Sequence, residues 1–514
     1  MNPLPHIQTE FLTFPHLLHM SNTITNLKTL LKAIEIKKYV GSKADPMISN
    51  ISLHSKCVRP NGMFFAIQGF QQSGEDFVLE AISNGAEVIV TETILPHLDN
   101  IIQIQVENVR SAVAQLAAAF YHNPNEKLCT IGVTGTCGKS TTTWIIRHLY
   151  QEGLGVKIGL VGQPHIDLGE RILPSVHTTP DAIALHHYFR EMADSGLKNV
   201  VLEASSQGLI QQRLLGVQLD TAVFTNLSYE HIDYHRTLEA YYQAKRDLFF
   251  SHAIRNAVVN LDDPYGQRLI KELPSTVSVV TTGIEQPATL QATDIRLSDT
   301  GTTFKLITPK GSFTVKTQLL GTFNVYNCLS ALGALYAQGY DLTKAVDSLK
   351  TFTGVPERLS PVKNSMGIKV FIDFAHKSDA LLKTLSTLRE CTHHKLYVVF
   401  GCADTADLAK RHTMTQIAET HADHAWATTD NPRFESQEAI FNDMKQEVKD
   451  PSKIDFIENR KEAVYAALRQ CRPGDCLLIA GKGNEQTISI KDRIIPYNDR
   501  ETVESYFEEA LRQA

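Results

Sequence analysis

The sequence predicts an α/β protein in which mostly parallel sheets are covered by helices. Short apolar runs alternate with helical segments along most of the chain, as in sheets whose parallel strands are joined by helices. A glycine-rich turn at 130–143 joins one of these runs directly to a helix. The chain has 514 residues, 43% of them hydrophobic and 21% charged. At ~100–200 residues per domain, this length predicts about three domains.

Composition excludes several classes of protein. The formal net charge of −6 lacks the basic surface of a nucleic-acid-binding protein. No run approaches the ~18–20 apolar residues that cross a bilayer, so we expect no membrane insertion. The first 22 residues lack the basic and continuous apolar regions of a secretory signal. The eight cysteines form no CxxC pair, which is typical of a reducing compartment, and we predict a cytoplasmic monomer.

Polar breaks in the alternation predict the domain boundaries. The polar stretch 121–127 precedes the apolar run 128–133, from which strands and helices alternate for some 220 residues. The alternation restarts after Thr353–Pro356. We therefore predict an N-terminal extension at 1–22, a small α/β domain at 23–125, a central domain with a mostly parallel sheet at 126–353 and a Rossmann-like domain at 354–514.

The strongest local signal is the segment TIGVTGTCGKSTTT at 130–143. Gly135 and Gly138 let backbone N–H groups approach phosphate oxygens, and the following helix N-terminus adds a favourable dipole. Lys139 can reach terminal phosphates, and the Ser140 hydroxyl can bind Mg²⁺. A purely structural glycine turn is the alternative, but strand, turn, Lys-Ser and helix all agree with a phosphate loop. The predicted ATP-binding residues here are Gly135, Thr136, Cys137, Gly138, Lys139, Ser140 and Thr141.

A metal site is predicted beside this loop. Glu203 ends the apolar strand NVVLE, where a carboxylate can hold Mg²⁺. His231 and His235 stand four residues apart, which leaves zinc open, although the sequence offers no evident third ligand. Lys245 falls within the apolar stripe of the helical segment 238–249. It either extends its stem to water or, once desolvated, becomes a neutral amine that can take up CO₂.

Together these segments resemble the Mur ligase family, from about residue 50 to the C-terminus. GTCGKS is similar to the family's variant phosphate loop, and EAYYQAK at 239–245 is similar to the context in which the family carbamylates a lysine. The resemblance implies a three-domain, ATP-dependent, ADP-forming ligase that joins an amino acid to a carboxylate. It assigns catalytic roles to Lys139, Glu203, His231 and Lys245. It also implies that Mg²⁺ is held by Ser140, Glu203, His231 and the CO₂-derived carbamate of Lys245.

The segment TTDNPRF at 428–434 resembles the MurE type within this family, which selects meso-diaminopimelate. That diamino acid differs from lysine by one carboxylate, for which Arg433 offers a bidentate partner. The resemblance implies ligation to UDP-N-acetylmuramoyl-L-Ala-D-Glu through an acyl phosphate, a step of peptidoglycan synthesis that serves cell shape and division. It adds ATP contacts at Asn324, Asn327, Arg358 and Asp373; UDP-substrate contacts at Ser55, Gln71, Thr178, Thr179, Ser205, Gln211 and Arg213; and amino-acid contacts at Asp430, Asn431, Pro432, Arg433, Gly481 and Glu485.

Departures from the family pattern keep alternatives open. Ala406 stands where an arginine is expected to bind a diaminopimelate carboxylate, and Lys410 or Arg411 is a candidate replacement. Other departures are His54, Lys56, Phe70, Ser73, Cys137, Gln207 and Asn484. One alternative is a Mur-like ligase for a different amino acid or acceptor, and another is a non-catalytic nucleotide-binding homologue. A P-loop kinase is less consistent, because it leaves Lys245 and the DNPR segment unexplained.

Overall fold

The computed structural model describes residues 23–41, 45–69, 72–98, 100–356, 358–403, 408–446, 448–483 and 485–513. The predictions for the extension at 1–22 and for Phe70, Gln71, Ala406 and Asn484 lie outside these residues. The described chain is mixed α/β, which confirms the predicted fold class. It divides into two compact units: the described residues of Met1–Lys139, Gly155–Val280 and Tyr336–Tyr340, and those of Ser140–Leu154, Thr281–Leu335 and Asp341–Ala514.

The first unit begins with a five-stranded sheet in the order β2-β7-β6-β5-β4, in which only β2 runs antiparallel to its neighbour. A short antiparallel pair, β1 with β3, lies outside this sheet. The apolar side chains of the five-stranded sheet pack against α3. The elements are β1 (Thr25–Asn26), α1 (Leu27–Leu31), β2 (Lys38–Val40), β3 (Met47–Ile48), β4 (Asn50–Ser52), β5 (Gly62–Phe65), α2 (Val78–Ser83), β6 (Ala86–Thr91), β7 (Ile102–Gln105) and α3 (Val109–Phe120).

A second sheet in this unit carries the phosphate-loop segment. Its strands follow one another as β11-β10-β9-β12-β8-β13-β14, and those from β9 to β14 are parallel. The elements are β8 (Cys129–Thr134), β9 (Gly159–Val161), β10 (His165–Asp167), β11 (Ile172–Pro174), α5 (Ala182–Asp194), β12 (Asn199–Glu203), α6 (Ser206–Ile210), β13 (Thr221–Phe224), α7 (Ile232–His235), α8 (Leu238–Phe250), β14 (Asn256–Asn260) and α9 (Pro264–Glu272). The helix that follows β8, α4 (Lys139–His148), belongs to the second unit apart from Lys139. Parallel pairing of β12, β8 and β13 brings the carboxyl ends of these three strands to one edge.

The second unit contains an antiparallel meander and a six-stranded sheet. The meander is β16-β17-β18, and the sheet order is β19-β20-β24-β21-β22-β23, with only β19 antiparallel. After β15 (Ser278–Gly283), which crosses the division between the units, the elements are β16 (Leu290–Ser298), β17 (Gly301–Thr308), β18 (Gly311–Thr317), α10 (Thr322–Ala337), α11 (Leu342–Ser348), β19 (Ser360–Val362), β20 (Lys369–Asp373), α12 (Ser378–Cys391), β21 (Leu396–Cys402), α13 (Leu408–His421), β22 (His424–Thr429), α14 (Gln437–Lys445), β23 (Ile454–Phe456), α15 (Arg460–Gln470), β24 (Cys476–Ala480), β25 (Thr487–Ile490), β26 (Arg493–Pro496) and α16 (Asp499–Gln513).

Parallel strands buried on both faces explain the near-continuous apolar runs of the sequence. Every residue of β12, β13, β21 and β24 is buried. In the part of the chain that the structure describes, no helix is both long and apolar enough to cross a membrane.

His186 is an unusual member of the core of the first unit. It lies on α5, is 1% exposed, and packs edge-on against Phe189 with ring centroids 5.9 Å apart. Neither ring nitrogen has a hydrogen-bond partner among the described residues. Burial lowers the pKa of His186 to about 4, because the charged imidazolium would lose its hydration without gaining a partner.

This lowered pKa predicts a loss of stability in mild acid. The unfolded chain binds the proton near the ordinary pKa of 6.5, whereas the folded chain resists it down to about 4. Stability from neutral His186 is therefore complete above about pH 6.5 and is lost progressively toward pH 4, by roughly 3 kcal/mol in total. We expect His186→Phe to flatten the dependence of Tm on pH across this window. The exposed His122→Asn variant serves as control, and identical pH slopes for His186→Phe and the unsubstituted protein would contradict the prediction.

Candidate functional site

The predicted phosphate loop lies between β8 and α4, where two glycines adopt conformations that other residues avoid. Gly135 has φ +151° and Gly138 has φ +84°. A Cβ atom on Gly135 would lie 1.9 Å from Thr225 Oγ1, so a larger residue does not fit. Lys139 Nζ donates to Gly135 O at 2.9 Å and to Thr136 O at 3.0 Å. The loop thus holds its lysine at the strand end, with Ser140 and Thr141 next in the first turn of α4.

The cysteine that departs from the family pattern supports the loop through its main chain. Cys137 N donates to Asn226 Oδ1 at 3.0 Å, and Cys137 O accepts from Thr225 Oγ1 at 2.7 Å and from Asn226 Nδ2 at 3.1 Å. Both partners follow β13, the strand next to β8. Because the side chain takes no part in these bonds, the loop geometry tolerates a cysteine at this position.

Lys245 is buried beside the same loop. It is 1% exposed, and its Nζ donates to Gly135 O at 2.7 Å, the carbonyl that Lys139 also uses. The Tyr241 ring lies 4.3 Å from Nζ. Burial holds the pKa of the Lys245 amine well below its ordinary value, and the nearby charge of Lys139 lowers it further. The structure therefore places Lys245 in the interior, and the alternative in which it extends to water is wrong.

Glu203 ends β12, directly opposite Val133 of β8. It is 1% exposed, and its Oε1 accepts a hydrogen bond from Gln163 N at 2.7 Å. A Cβ on Gly162 would lie 2.5 Å from this same oxygen, so glycine makes room for the carboxylate. A buried carboxylate is thus fixed at the strand end next to the phosphate loop, as the sequence predicts.

The two histidines have different surroundings. His235 is buried, and its Nε2 lies 2.9 Å from Ser206 Oγ, so this ring nitrogen is engaged by an interior hydrogen bond. His231 has φ +57°, rare for a residue with a side chain, and its side chain is 33% exposed. Such strain concentrates at functional sites. The described residues contain no cluster of three His, Cys, Asp or Glu side chains suited to a metal.

The donor set fits Mg²⁺ better than zinc. Mg²⁺ prefers oxygen ligands and is commonly held by one or two carboxylates together with phosphate oxygens and water. Glu203 supplies a buried carboxylate, and Ser140 follows the phosphate-loop lysine. His231 and a carbamate on Lys245 would complete the predicted set.

Several predicted UDP-substrate residues come together in the first unit. Arg213 Nη1 donates to Thr179 O at 2.6 Å, and its Nε and Nη2 donate to Gln211 Oε1 at 3.2 and 2.8 Å. Thr179 Oγ1 lies 2.9 Å from Ser205 Oγ. Thr178 precedes Thr179 in the chain. Ser55 is engaged separately, donating to Glu80 Oε2 at 2.5 Å.

An open cleft of about 210 Å³ adjoins this group. Gln211 and Arg213 line it, together with Arg110, His177 and His54, which the sequence did not assign to a site. Burial is the largest effect and lowers the pKa of Arg213; the carboxylate of Asp181, which also lines the cleft, raises it, and the charge of Arg110 lowers it. Two neighbouring guanidinium groups suit an anionic ligand. Arg110 stands in the first turn of α3, a signal too common to identify it from the sequence.

The predicted amino-acid residues gather around a lysine that the sequence left unassigned. Lys482 is fully buried, and its Nζ lies 2.6 Å from Glu485 Oε2, 3.3 Å from Asn431 Oδ1 and 3.6 Å from Asp430 Oδ1. Asn431 Nδ2 also donates to Glu485 Oε2 at 2.9 Å. A Cβ on Gly481 would lie 3.3 Å from Asp430 Oδ2. The segments after β22 and β24 are therefore joined by charge-assisted hydrogen bonds.

Arg433, in contrast to the buried Lys482, is exposed. It follows Pro432 with φ +46°, and its main chain pairs with the β25–β26 hairpin, through Ser489 O at 3.0 Å and Lys491 N at 2.6 Å. Arg433 is thus an exposed residue whose left-handed backbone is held by the hairpin.

The remaining predicted ATP contacts lie in the second unit as two pairs. Asn327 Nδ2 donates to Asn324 Oδ1 at 2.9 Å, and Asn327 Oδ1 lies 3.5 Å from Thr142 Oγ1 on α4. Burial raises the pKa of Asp373, and the nearby Arg358 guanidinium opposes that rise. Asp373 Oδ2 also accepts from the main-chain nitrogen after Arg358, at 2.6 Å.

Arg411 is not available to replace the arginine missing at 406. Its side chain is fully buried and binds Glu435 and Asp443 at 2.5–2.7 Å. Lys410 remains the proposed partner for the substrate carboxylate.

The fold and these sites define an α/β nucleotide-binding protein with a phosphate loop and a buried carboxylate on adjacent strand ends. Family models described as "Mur ligase family, catalytic domain", "Mur ligase middle domain" and "Mur ligase, glutamate ligase domain" match residues 47–121, 133–335 and 357–483. The chain belongs to the Mur ligase family. The exact domain boundaries at 23–125, 126–353 and 354–514 stay a prediction.

Its similar proteins include UDP-N-acetylmuramoyl-L-alanyl-D-glutamate–2,6-diaminopimelate ligases from two bacteria. Identity is 38% with that of Geobacillus thermodenitrificans and 37% with that of Listeria monocytogenes, in each case over 92% of this chain and 97% of the relative. A solved structure of a ligase with this name matches with a TM-score of 0.67 and 33% identity, over 90% of this chain and 95% of that one. The MurF ligase of Thermotoga maritima, solved with ADP, shares the fold, with a TM-score of 0.61 at 19% identity.

Proposed function

We propose that this protein is an ATP-dependent, ADP-forming ligase that adds meso-diaminopimelate to UDP-N-acetylmuramoyl-L-alanyl-D-glutamate. Relatives that it covers over 97% of their length are named for this reaction. The observation that carries the proposal is the buried Lys245 amine on the Gly135 carbonyl, beside Lys139. A phosphate loop alone serves many enzymes, whereas a second, desolvated lysine on the same carbonyl needs a specific chemical use.

That use is carbamylation of Lys245. A neutral amine attacks CO₂ and loses one proton, which leaves an N-carboxylate in place of a cation. The low pKa that burial imposes keeps the amine neutral and reactive. The product is an anion, which the Lys139 ammonium attracts, whereas an ammonium at Lys245 would be repelled. Burial, which disfavours the ammonium, thus favours the modification.

The ligation proceeds in two steps. The glutamyl carboxylate attacks the γ-phosphorus of ATP in line, forming an acyl phosphate and releasing ADP. An amine of the diamino acid then attacks the acyl carbon, and the tetrahedral intermediate expels phosphate to leave an amide. Lys139 and the loop N–H groups hold the phosphates, while Arg213 and Gln211 orient the UDP-linked substrate. When bound by Ser140, Glu203, His231 and the carbamate, Mg²⁺ neutralises phosphate charge.

The proposal includes the remaining predicted roles. Thr178, Thr179, Ser205 and Ser55 contact the UDP-linked substrate, and Asn324, Asn327, Arg358 and Asp373 contact ATP. Asp430, Asn431, Gly481 and Glu485 bind the diamino acid. A cytoplasmic location is proposed because the co-substrate ATP is supplied in the cytoplasm, and the protein is proposed to act as a monomer.

A phosphate-release panel tests the proposed reaction. The protein is incubated with ATP, Mg²⁺ and the UDP-muramoyl dipeptide, and one amino acid is added at a time. We expect release with meso-diaminopimelate and much less with L-lysine. Preferential release with another amino acid would instead identify a Mur-like ligase of different specificity. Absence of release with every amino acid would identify a non-catalytic homologue.

Arg433 is expected to determine the choice of diamino acid. We predict that Arg433→Leu raises KM for meso-diaminopimelate about 10- to 100-fold, because charge-assisted bonds worth ~1.5–3 kcal/mol are lost. KM for ATP should stay within about twofold, since Arg433 does not contact the nucleotide in this proposal. Steady-state phosphate release measures both constants. Arg493→Leu, which removes an exposed arginine from β26, is the matched control, and an unchanged KM in Arg433→Leu would refute the assignment.

A further inference from the structure

Arg411 on α13 is a buried arginine that binds two carboxylates. Its Nη1 donates to Glu435 Oε1 and Asp443 Oδ2, both at 2.7 Å, and its Nη2 donates to Glu435 Oε2 at 2.5 Å and Ala403 O at 3.4 Å. The side chain is completely buried, whereas Glu435 and Asp443 are 31% and 24% exposed. The charge of a buried guanidinium needs compensation, and here two carboxylates supply it at the terminal nitrogens, while the buried Nε has no hydrogen-bond partner among the described residues.

The two carboxylates belong to different parts of the fold. Asp443 lies within α14, a regular helix whose side chains pack into the core. Glu435 lies in the segment between β22 and α14, two residues after Arg433. Its N donates to Pro432 O at 2.9 Å, which closes a tight turn around Arg433. Arg411 therefore fixes one end of this turn by its side chain, while the β25–β26 hairpin fixes Arg433 by its main chain.

We propose that Arg411 is a positioning residue for the diamino-acid site and acts through Glu435 on Arg433. This inference rests on the proposed function, because it assigns the turn to binding of the second substrate carboxylate. Arg433 holds a left-handed conformation that an unrestrained arginine avoids. The bidentate Arg411–Glu435 pair keeps the turn closed, so the guanidinium is presented in one orientation. Without the Arg411–Glu435 pair, the turn samples open conformations, and the substrate carboxylate meets the Arg433 guanidinium in variable orientations.

Two conservative variants separate positioning from general stability. Glu435→Gln and Asp443→Asn each remove one charged partner of Arg411 and preserve side-chain size, but only Glu435 belongs to the turn. We expect Glu435→Gln to raise KM for meso-diaminopimelate about tenfold and to reduce discrimination against lysine. KM for ATP and for the UDP-linked substrate should stay within about twofold. Asp443→Asn should leave all three constants near their original values, even if both variants lower Tm equally.

Hydrogen exchange of residues 430–436 gives a readout that does not depend on turnover. We expect faster exchange there in Glu435→Gln than in Asp443→Asn. Equal exchange in the two variants, or equal KM values for the diamino acid, would overturn the positioning role. Failure of the proposed function has a different signature, namely no phosphate release by the unsubstituted protein with any amino acid. The exchange comparison still decides whether Arg411 holds the turn in that case.

Discussion

Lys245→Ala is expected to lower kcat for phosphate release at least ~10³-fold, because the variant lacks the amine from which the proposed carbamate forms. The folded protein should remain stable, since a desolvated amine is removed from a buried position next to Lys139. A small carboxylic acid added to the assay should restore part of the activity by occupying the space left by the side chain. Phosphate release at saturating substrate concentrations measures both effects.

The neighbouring Arg246 provides a matched control for this variant. It lies one position along α8 but pairs with Glu272 at 2.5 Å, away from the phosphate loop. We expect Arg246→Ala to retain kcat within about threefold, because its partly buried ion pair with Glu272 does not involve the phosphate loop. Full activity of Lys245→Ala, or a similar loss in both variants, would refute the carbamate role.

The phosphate loop and Lys245 could be predicted because the information is local. A strand, two glycines, Lys-Ser and a helix occupy fourteen successive positions, 130–143. Lys245 lies in an apolar helical stripe, and helical periodicity alone places it toward the interior. Glu203 required one further step, namely that a strand following a crossover helix pairs parallel with β8. The structure agrees with each of these placements.

The residues that the sequence did not identify depend on strand order. Lys482 meets Asp430 because β24, β21 and β22 are adjacent in the sheet, although the two residues are 52 positions apart. The sequence offered Arg411 as a ligand for substrate, whereas the fold commits it to Glu435 and Asp443. Periodicity predicts which residues are buried but does not identify their partners across an element boundary. Left-handed conformations at His231 and Arg433 are likewise imposed by tertiary contacts rather than by local preference.

Asp499→Ala is expected to destabilise the second unit by ~3–5 kcal/mol, because it leaves the Arg460 charge buried without a carboxylate partner. Both side chains are fully buried, and Arg460 Nε and Nη2 donate to the two Asp499 oxygens at 2.8 Å each. The two tryptophans of the chain, Trp144 and Trp426, both lie in this unit. Urea unfolding followed by tryptophan fluorescence therefore reports the change directly, as a lower midpoint.

The same arginine connects stability to the amino-acid site. Arg460 also donates to Thr429 O at 3.3 Å and Ala480 O at 2.9 Å, the residues just before Asp430 and Gly481. We expect the double variant Arg460→Met/Asp499→Leu to recover most of the unfolding free energy, because neither charge remains buried. It should nevertheless raise KM for the diamino acid, because the arginine that binds both strand-end carbonyls is gone and only the Lys482 contacts still connect the segments that follow them. Arg512→Ala, at a 78% exposed position on α16, is the control for stability. If the double variant is as unstable as Asp499→Ala, an uncompensated charge is not the cause of the stability lost in Asp499→Ala.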